Sequence, residues 1–489
     1  MLNHLKNEAN IACTENGAVT NASTMSDCLD LFATIGAIRS ADNQEIIRRF
    51  VRAYAEDADI AMKILFFGRD VRGGLGERRV FRVIINWLAE NRTESLRKNI
   101  ELIPEFGRYD DLVSLLGTAC EKDALRTIRK QLEADLASDA EVSLLAKWLP
   151  SVNASGGETV RKAKRIARYL GMSDAEYRKT LVELRKKIRI IENHLREKDY
   201  SFDYAKQPSK AMFKYRKAFL GNDGERYNAF LEAVSSGEKQ LHADNLAPYE
   251  IVRSALNANR WGYSACLTDG EKAALNTSWA SLPDFCDNRN ALAVVDTSGS
   301  MYCYDNALPA AVALSLGLYF GERNTGIFHN HFIEFSSRPQ LIEIKGKTFA
   351  ERLEYLCTFN EVADTNVEAV FDLILDAAVR NNVPQEELPE TLYLISDMEF
   401  NACVRNASVS NFASAKRRFA EHGYKLPQIV FWNVASRNSN QPVTRNEQGV
   451  ALVSGCTPRL FSMVASGDLS PCSVMMDIIE SERYARISA

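Results

Sequence analysis

The chain has 489 residues, longer than one hydrophobic core normally grows, so it divides into two domains or three. An apolar share of 46% and a charged share of 25% are those of an ordinary globular protein and exclude collagen-like, mucin-like and disordered classes. The formal net charge of −4 points to no partner until it is mapped along the chain.

The first 24 residues, MLNHLKNEANIACTENGAVTNAST, mix Asn, Thr, Glu and Lys without the apolar run of a signal peptide, and read as a mobile or loosely docked tail. Ten cysteines lie scattered with no C-x-x-C pair, the usage of reduced, mostly buried thiols in a cytoplasmic protein. From residue 25 to 285 the periodicity is helical. Ile46, Ile47, Phe50, Val51 and Tyr54 fall on one face, and so do Val80, Phe81, Ile84, Ile85 and Leu88. Over residues 174–198, Tyr177, Leu181, Leu184, Ile188, Ile191 and Leu195 predict one long amphipathic helix. Helices with a single apolar stripe bury it by stacking on their neighbours, which predicts a HEAT-like α-helical array; a compact all-α domain is the alternative.

Two stretches of this helical half invite a functional reading. GRDVRGGLGERRVF, residues 68–81, has the glycines of a phosphate loop but neither its Lys-Ser/Thr ending nor a preceding strand. It reads as glycines that end one helix and release the next, with Arg69, Arg72, Arg78 and Arg79 bracing neighbouring helices. Residues 161–220 hold eighteen Lys or Arg against seven Asp or Glu, so the rest of the chain is acidic and one face suits an anionic partner. These cations interleave with Tyr204, Phe213, Tyr215 and Phe219, the mixture that holds phosphates and stacks bases. The candidate nucleic-acid contacts are Arg161, Lys162, Lys164, Arg165, Arg168, Lys186, Lys187, Arg189, Lys210, Lys214, Arg216 and Lys217. The bland alternative is a set of solvated helix faces whose charge is answered by acids elsewhere. A membrane partner is not expected, because the apolar faces are regular enough to be core and the most apolar stretch, 307–320, is too short to span a bilayer.

Past residue 285 the pattern becomes strands at 291–295, 327–335, 340–344, 391–396 and 428–434 alternating with helices at 307–320, 367–379 and 412–422. That alternation predicts a mostly parallel, doubly wound α/β domain over 286–489, with function at the carboxyl ends of its strands. The string VVDTSGSM ends an apolar strand at Asp296 and adds Ser298 and Ser300; ADTNVEAVF offers Thr365 before a helix, and LYLISDMEF offers Asp397 at a strand end. Five hard oxygen donors suit Mg²⁺ or Mn²⁺ better than Zn²⁺. Asp and Ser are also the ordinary residues of turns and caps, which is the structural alternative. Nearby, Glu399 reads as a surface acid, Cys303 as a small buried thiol, and His329 and His331 as ordinary strand residues. No general base is paired with a nucleophile, so the expectation is a protein that is not an enzyme.

The D-x-S-x-S, Thr and Asp segments, in that order and each at a strand end, resemble the metal-ion-dependent adhesion site of von Willebrand factor A domains. Many relatives carry Gly where this chain has Asp364. The resemblance implies a coordination position left for solvent or for a partner's carboxylate. Taken with RDVRGGLGER, KWLPS at 147–151 and PSKAMFKYRKAF at 208–219, the chain is similar in architecture to the Ro-like group, a TROVE-type helical repeat followed by a von Willebrand A domain. It is closest to a branch of that group whose function is uncharacterised. This likeness implies a helical ring closed by the metal domain, with small structured RNAs or single-stranded RNA ends as partners. An RNA-binding scaffold or quality-control ribonucleoprotein is therefore expected, with a protein adaptor that grips a partner's carboxylate through the metal as the alternative.

Overall fold

The computed structural model describes residues 1–138, 142–188, 190–259, 262–265, 267–286, 290–303, 307–335, 338–359, 365–402, 409–464 and 469–489. They form two compact units: Met1–Asp42 with Pro208–Ser481, and Asn43–Gln207 with Glu482–Ala489. The divisions expected at residues 24 and 285 therefore move. Periodicity reports local structure and is silent on which elements share a core, so the first 42 residues and residues 208–285 were free to belong with the strands.

The first unit contains, among the described residues, strands β1 (Ile11–Cys13), β2 (Val19–Asn21), β3 (Leu256–Asn259), β4 (Gly262–Ala265), β5 (Ala291–Asp296), β6 (His331–Phe335), β7 (Gln340–Glu343), β8 (Thr391–Ser396), β9 (Gln428–Asn433) and β10 (Val450–Ser454). β1 with β2 and β3 with β4 are separate antiparallel pairs. The other six make one sheet in the order β10-β9-β8-β5-β6-β7, parallel throughout except for β7. Every position of β5 and β8 is buried, which is why both read as unbroken apolar runs instead of alternating. On one face Leu292, Val294, Leu392, Leu394, Ile429 and Phe431 pack with Val370, Phe371 and Phe419 from the helices Val367–Asn381 and Asn411–Glu421. On the other, Phe461 meets Phe320, Tyr393 and Trp432 with ring centroids 5.0, 4.9 and 4.7 Å apart. Each such buried ring contributes about 1.5–3 kcal/mol. The sixth strand, β10, lies beyond those read from the sequence.

The second unit is helical. Its longer members are Asn43–Glu56, Ala58–Arg69, Arg78–Asn91, Glu121–Ala137, Gly157–Leu170 and Asp174–Ile188, each packed on helices near it in sequence. The stripes Ile46/Phe50 and Val80/Phe81/Ile84/Ile85/Leu88 are buried as their spacing requires. The run 174–198 is two helices, Asp174–Ile188 and Ile191–Glu197, because Ile190 is extended at φ −67°, ψ 142°. Among the described residues no helix is long and apolar enough to cross a membrane.

Candidate functional site

From β5 the chain lays β6 and β7 on one side, then crosses to β8, β9 and β10 on the other. The carboxyl ends of β5 and β8 therefore border the switch point of a doubly wound sheet, where such sheets open a crevice. Asp296 ends β5, and Asp397 follows β8; they are 0% and 3% exposed. Asp296 Oδ1 accepts the Ser298 amide at 2.8 Å and its Oδ2 accepts the Ser396 hydroxyl at 2.5 Å, which ties the two strand ends together. Ser298 and Ser300 hydroxyls lie 3.1 Å apart. Thr365 is buried, and its carbonyl accepts the amide of Asn401 at 2.9 Å, four residues past Asp397. Asp364 lies outside the described residues.

The two acids differ in their company. Asp397 Oδ2 accepts a bond from Arg437 Nη2 at 2.8 Å. No Lys, Arg or His pairs with Asp296 among the described residues. Burial, then the negative charge of Asp397, push the Asp296 carboxyl up to about 7, against the pull of the Ser396 and Ser298 bonds. A buried carboxylate without a cation, bordered by hydroxyls, is a donor set that a hard divalent ion completes. No group of three or more His, Cys, Asp or Glu suited to a metal gathers among the described residues, so an ion here would draw on hydroxyls and water as well as the two acids.

The rim of this crevice holds residues the sequence reading missed. The segment expected as a mobile or loosely docked tail lies on it: Thr14 Oγ1 donates to the Phe400 carbonyl at 2.6 Å, the Glu15 amide to Glu399 Oε2 at 2.7 Å, and Asn440 Nδ2 to the Cys13 carbonyl at 2.8 Å. Arg437 bridges the two parts, with Nη1 2.9 Å from Glu15 and Nη2 on Asp397. Glu399 is buried rather than on the surface, because the N-terminal segment covers it, and burial raises its carboxyl. Cys303 is the reverse, an exposed thiol where a buried one was expected. His329 precedes β6, and its Nδ1 lies 2.6 Å from the Asn324 carbonyl, the contact of a loop-bracing residue.

The expected nucleic-acid contacts divide between the units. In the helical unit Arg161, Lys164, Arg165 and Arg168 are exposed on the outer face of Gly157–Leu170, whose inner face buries Ala163, Ile166 and Ala167. Lys162 pairs with Glu158 at 2.7 Å, Lys164 with Asp174 at 3.1 Å, Arg165 with Glu121 at 2.5 Å and Lys186 with Glu183 at 3.4 Å. Lys187 donates to the Ser138 carbonyl at 2.8 Å. Arg161 and Arg168 enter no ion pair among the described residues, and Arg189 lies outside them. In the strand unit Lys210 pairs with Glu250 at 3.2 Å, Lys217 with Glu271 at 2.7 Å, and Lys214 lies 4.6 Å from the Tyr215 ring centroid. Arg216 corrects the expectation: it is 8% exposed, stacked on Phe213 at 4.2 Å and bonded to the Phe213 carbonyl at 2.7 Å, so it packs the fold. Tyr204 and Phe219 are buried too, with no face left for a base.

A family model described as a domain of unknown function, DUF2828, matches residues 14–135 and 121–288. The chain belongs to the DUF2828 family. A second model, also described as a domain of unknown function, DUF7788, matches residues 290–471 and so spans β5 to β10. The uncharacterized protein L728 of Acanthamoeba polyphaga mimivirus is 27% identical over 513 residues, covering 96% of this chain and 88% of that protein. Among solved structures, the Ro (RSR) protein of Deinococcus radiodurans aligns over 94% of this chain and all of that one at 14% identity, with a TM-score of 0.41.

The DUF2828 match starts at Thr14, inside the segment that lies on the crevice rim. Within the same match, three arginines of residues 68–81, namely Arg69, Arg72 and Arg79, are engaged by protein, whereas Arg78 is exposed. Arg69, 1% exposed, pairs with the fully buried Asp111 at 2.7 Å, and Arg82 reaches the other oxygen of Asp111 at 2.7 Å. Arg72 donates to the Glu105 carbonyl at 2.7 Å and Arg79 to Asn43 at 2.8 Å. These are the bracing roles that the sequence reading preferred to phosphate.

Proposed function

We propose that this protein is a non-enzymatic RNA-binding scaffold, of the kind that serves RNA quality control, with one Mg²⁺ or Mn²⁺ held in a von Willebrand A-type domain. The observation that carries the RNA reading is the outer face of Gly157–Leu170, where Arg161, Lys164, Arg165 and Arg168 form one exposed basic stripe. The Lys164–Asp174 pair on it joins two half-exposed side chains that water and salt screen, so a phosphate can exchange for that carboxylate at small cost, and Arg161 and Arg168 have no carboxylate to give up among the described residues. The metal reading is supported by the order of the Asp-x-Ser-x-Ser, Thr and Asp segments and by the location of both acids at the switch point. Asp296, Ser298, Ser300, Thr365 and Asp397 would hold the ion, which would supply a fixed positive charge to which a ligand oxygen can bind.

The test is retention of single-stranded and of structured RNA on the purified chain across a salt series. Neutralised phosphates release counterions, so log K is expected to fall with log salt at about −0.7 per contact on single strands. Adding a chelator is expected to change RNA affinity less than replacing the stripe. A chain that shows no salt-dependent retention at low ionic strength overturns the RNA reading and leaves the metal domain as a protein adaptor.

A further inference from the structure

The fully buried carboxylate of Asp70, in the RDVRGG segment, accepts four donors, and every side-chain donor among them comes from residues 482–489. Arg483 places both Nε and Nη2 on it, the latter at 2.7 Å, and Tyr484 donates its hydroxyl at 3.1 Å. The remaining donor is the Arg72 amide at 2.9 Å. Burial works to raise this carboxyl, and the Arg483 and backbone bonds outweigh it and hold it below the ordinary range. An acid this deep without a cation costs several kcal/mol. Its pocket is therefore incomplete in charge until a guanidinium arrives.

The rest of the groove is shaped for the same guest. Tyr484, 2% exposed, stacks on Phe106 at 5.7 Å and meets the edge of Phe67 at 6.1 Å. A short turn at Glu482–Tyr484 is followed by Ile487, three residues past Tyr484, which is buried as well. Arg486 pairs with Glu105 at the rim. Asn99 holds the guest's main chain at two points, donating to the Ser488 carbonyl at 2.6 Å and accepting its amide at 3.4 Å. Gly73 leaves room for the ion pair: a Cβ there would lie 2.6 Å from Arg483 Nε and 2.9 Å from Asp70 Oδ2. The neighbouring Gly74 serves the host, since its Cβ would lie 2.0 Å from the Phe67 carbonyl.

We infer that the helical unit is a peptide receptor for an Arg-Tyr-x-Arg-Ile segment, filled by the chain's own residues 482–489 as a separable guest. Two apolar anchors, one buried acid, one rim acid and a two-point main-chain clamp are the composition of a binding hot spot, and they do not need the covalent link to work. The link supplies only effective concentration. This inference rests on neither the metal nor the RNA reading.

The experiment uses the full chain with a specific protease site inserted between Ser481 and Glu482, cleaved after folding. The released octapeptide is expected to stay bound through gel filtration and to exchange saturably with a labelled synthetic copy. A Tyr484→Ala peptide should compete at least about tenfold more weakly, and Arg483→Gln likewise. In an Asp70→Asn chain the wild-type peptide should weaken while the Arg483→Gln peptide loses little more, the mark of a direct pair. Three results overturn the inference: the cleaved chain unfolds, which makes the segment interior packing; the peptide washes off a folded chain; or the Tyr484→Ala peptide competes as well as the wild type.

Discussion

Asp70 in the helical unit and Asp296 in the strand unit are both fully buried, and they have opposite fates. Asp70 is met by a guanidinium, a phenol and a backbone amide, and its carboxyl is held low. Asp296 is met by a hydroxyl and an amide with a second acid near it, and its carboxyl is pushed up to about 7. Burial works to raise both carboxyls; at Asp70 the Arg483 guanidinium and the amide bonds outweigh it, and at Asp296 burial and the charge of Asp397 outweigh the bonds of Ser396 and Ser298. A buried acid already met by a cation is satisfied, as Asp70 is by Arg483, whereas one without is a place where something positive is missing.

The largest expected effect follows from removing the satisfied acid. Asp70→Ala leaves Arg483 and Tyr484 facing an empty groove and is expected to cost about 3–5 kcal/mol in urea unfolding. Asp296→Asn in metal-free protein removes a repulsion and should leave stability within about 1 kcal/mol of wild type, or raise it. Equal losses at the two positions would break the comparison. Next, calorimetry should detect one Mg²⁺ or Mn²⁺ per chain, abolished by Asp296→Ala or by Asp397→Ala while near-UV circular dichroism stays native. Binding that survives in both variants would remove the ion from this crevice. Arg437→Gln should tighten it, because Arg437 competes for Asp397.

A pH series sharpens the same contrast. A metal held here would need Asp296 as the carboxylate, and burial and the charge of Asp397 push that carboxyl up to about 7. Below that point binding must expel a proton, so affinity should fall by about tenfold per pH unit on acidification and level off above it. An affinity flat between pH 5 and 7 would mean that Asp296 is not a ligand. The smallest effect is on the basic stripe. Replacing Arg161, Lys164 and Arg168 with Ala should flatten the salt slope of RNA binding by about 2, at 0.7 per contact. Arg216→Ala should instead lower stability and leave the slope unchanged, since that guanidinium is buried on Phe213.

The α plus α/β architecture was legible in the sequence because each element announces itself locally. A parallel strand covered on both faces is an apolar run, and β8 coincides with the stretch read at 391–396. The VALVS of β10 has the same character but is brief enough to pass for a piece of buried helix, and it was overlooked. Asp296 and Asp397 were found because strand ends in such sheets are predictable places. Glu399, Arg437 and Glu15 were not, because they meet through the Glu15 amide on the Glu399 carboxylate and an ion pair between Glu15 and Arg437, contacts across 384 residues or more that leave no periodicity. Arg216 shows the limit of counting charge: composition registers a cation wherever its stem is buried. The partner of Asp70 was beyond reach for another reason, since Arg483 stands 413 residues away along the chain.

That separation bears on how the protein is made. Neither unit is a continuous stretch: residues 43–207 interrupt the strand unit, and residues 208–481 separate Glu482–Ala489 from the rest of the helical unit. The bond from Asn21 to Gln441 spans 420 residues. At a synthesis rate of about 5–20 residues per second, the N-terminal segment waits roughly 20–80 seconds on the ribosome for its counterpart. A segment that must wait that long unpaired has to be soluble alone and slow to stick to other chains. The Asn- and Thr-rich composition that made residues 1–24 look like a mere tail is what such a delay demands.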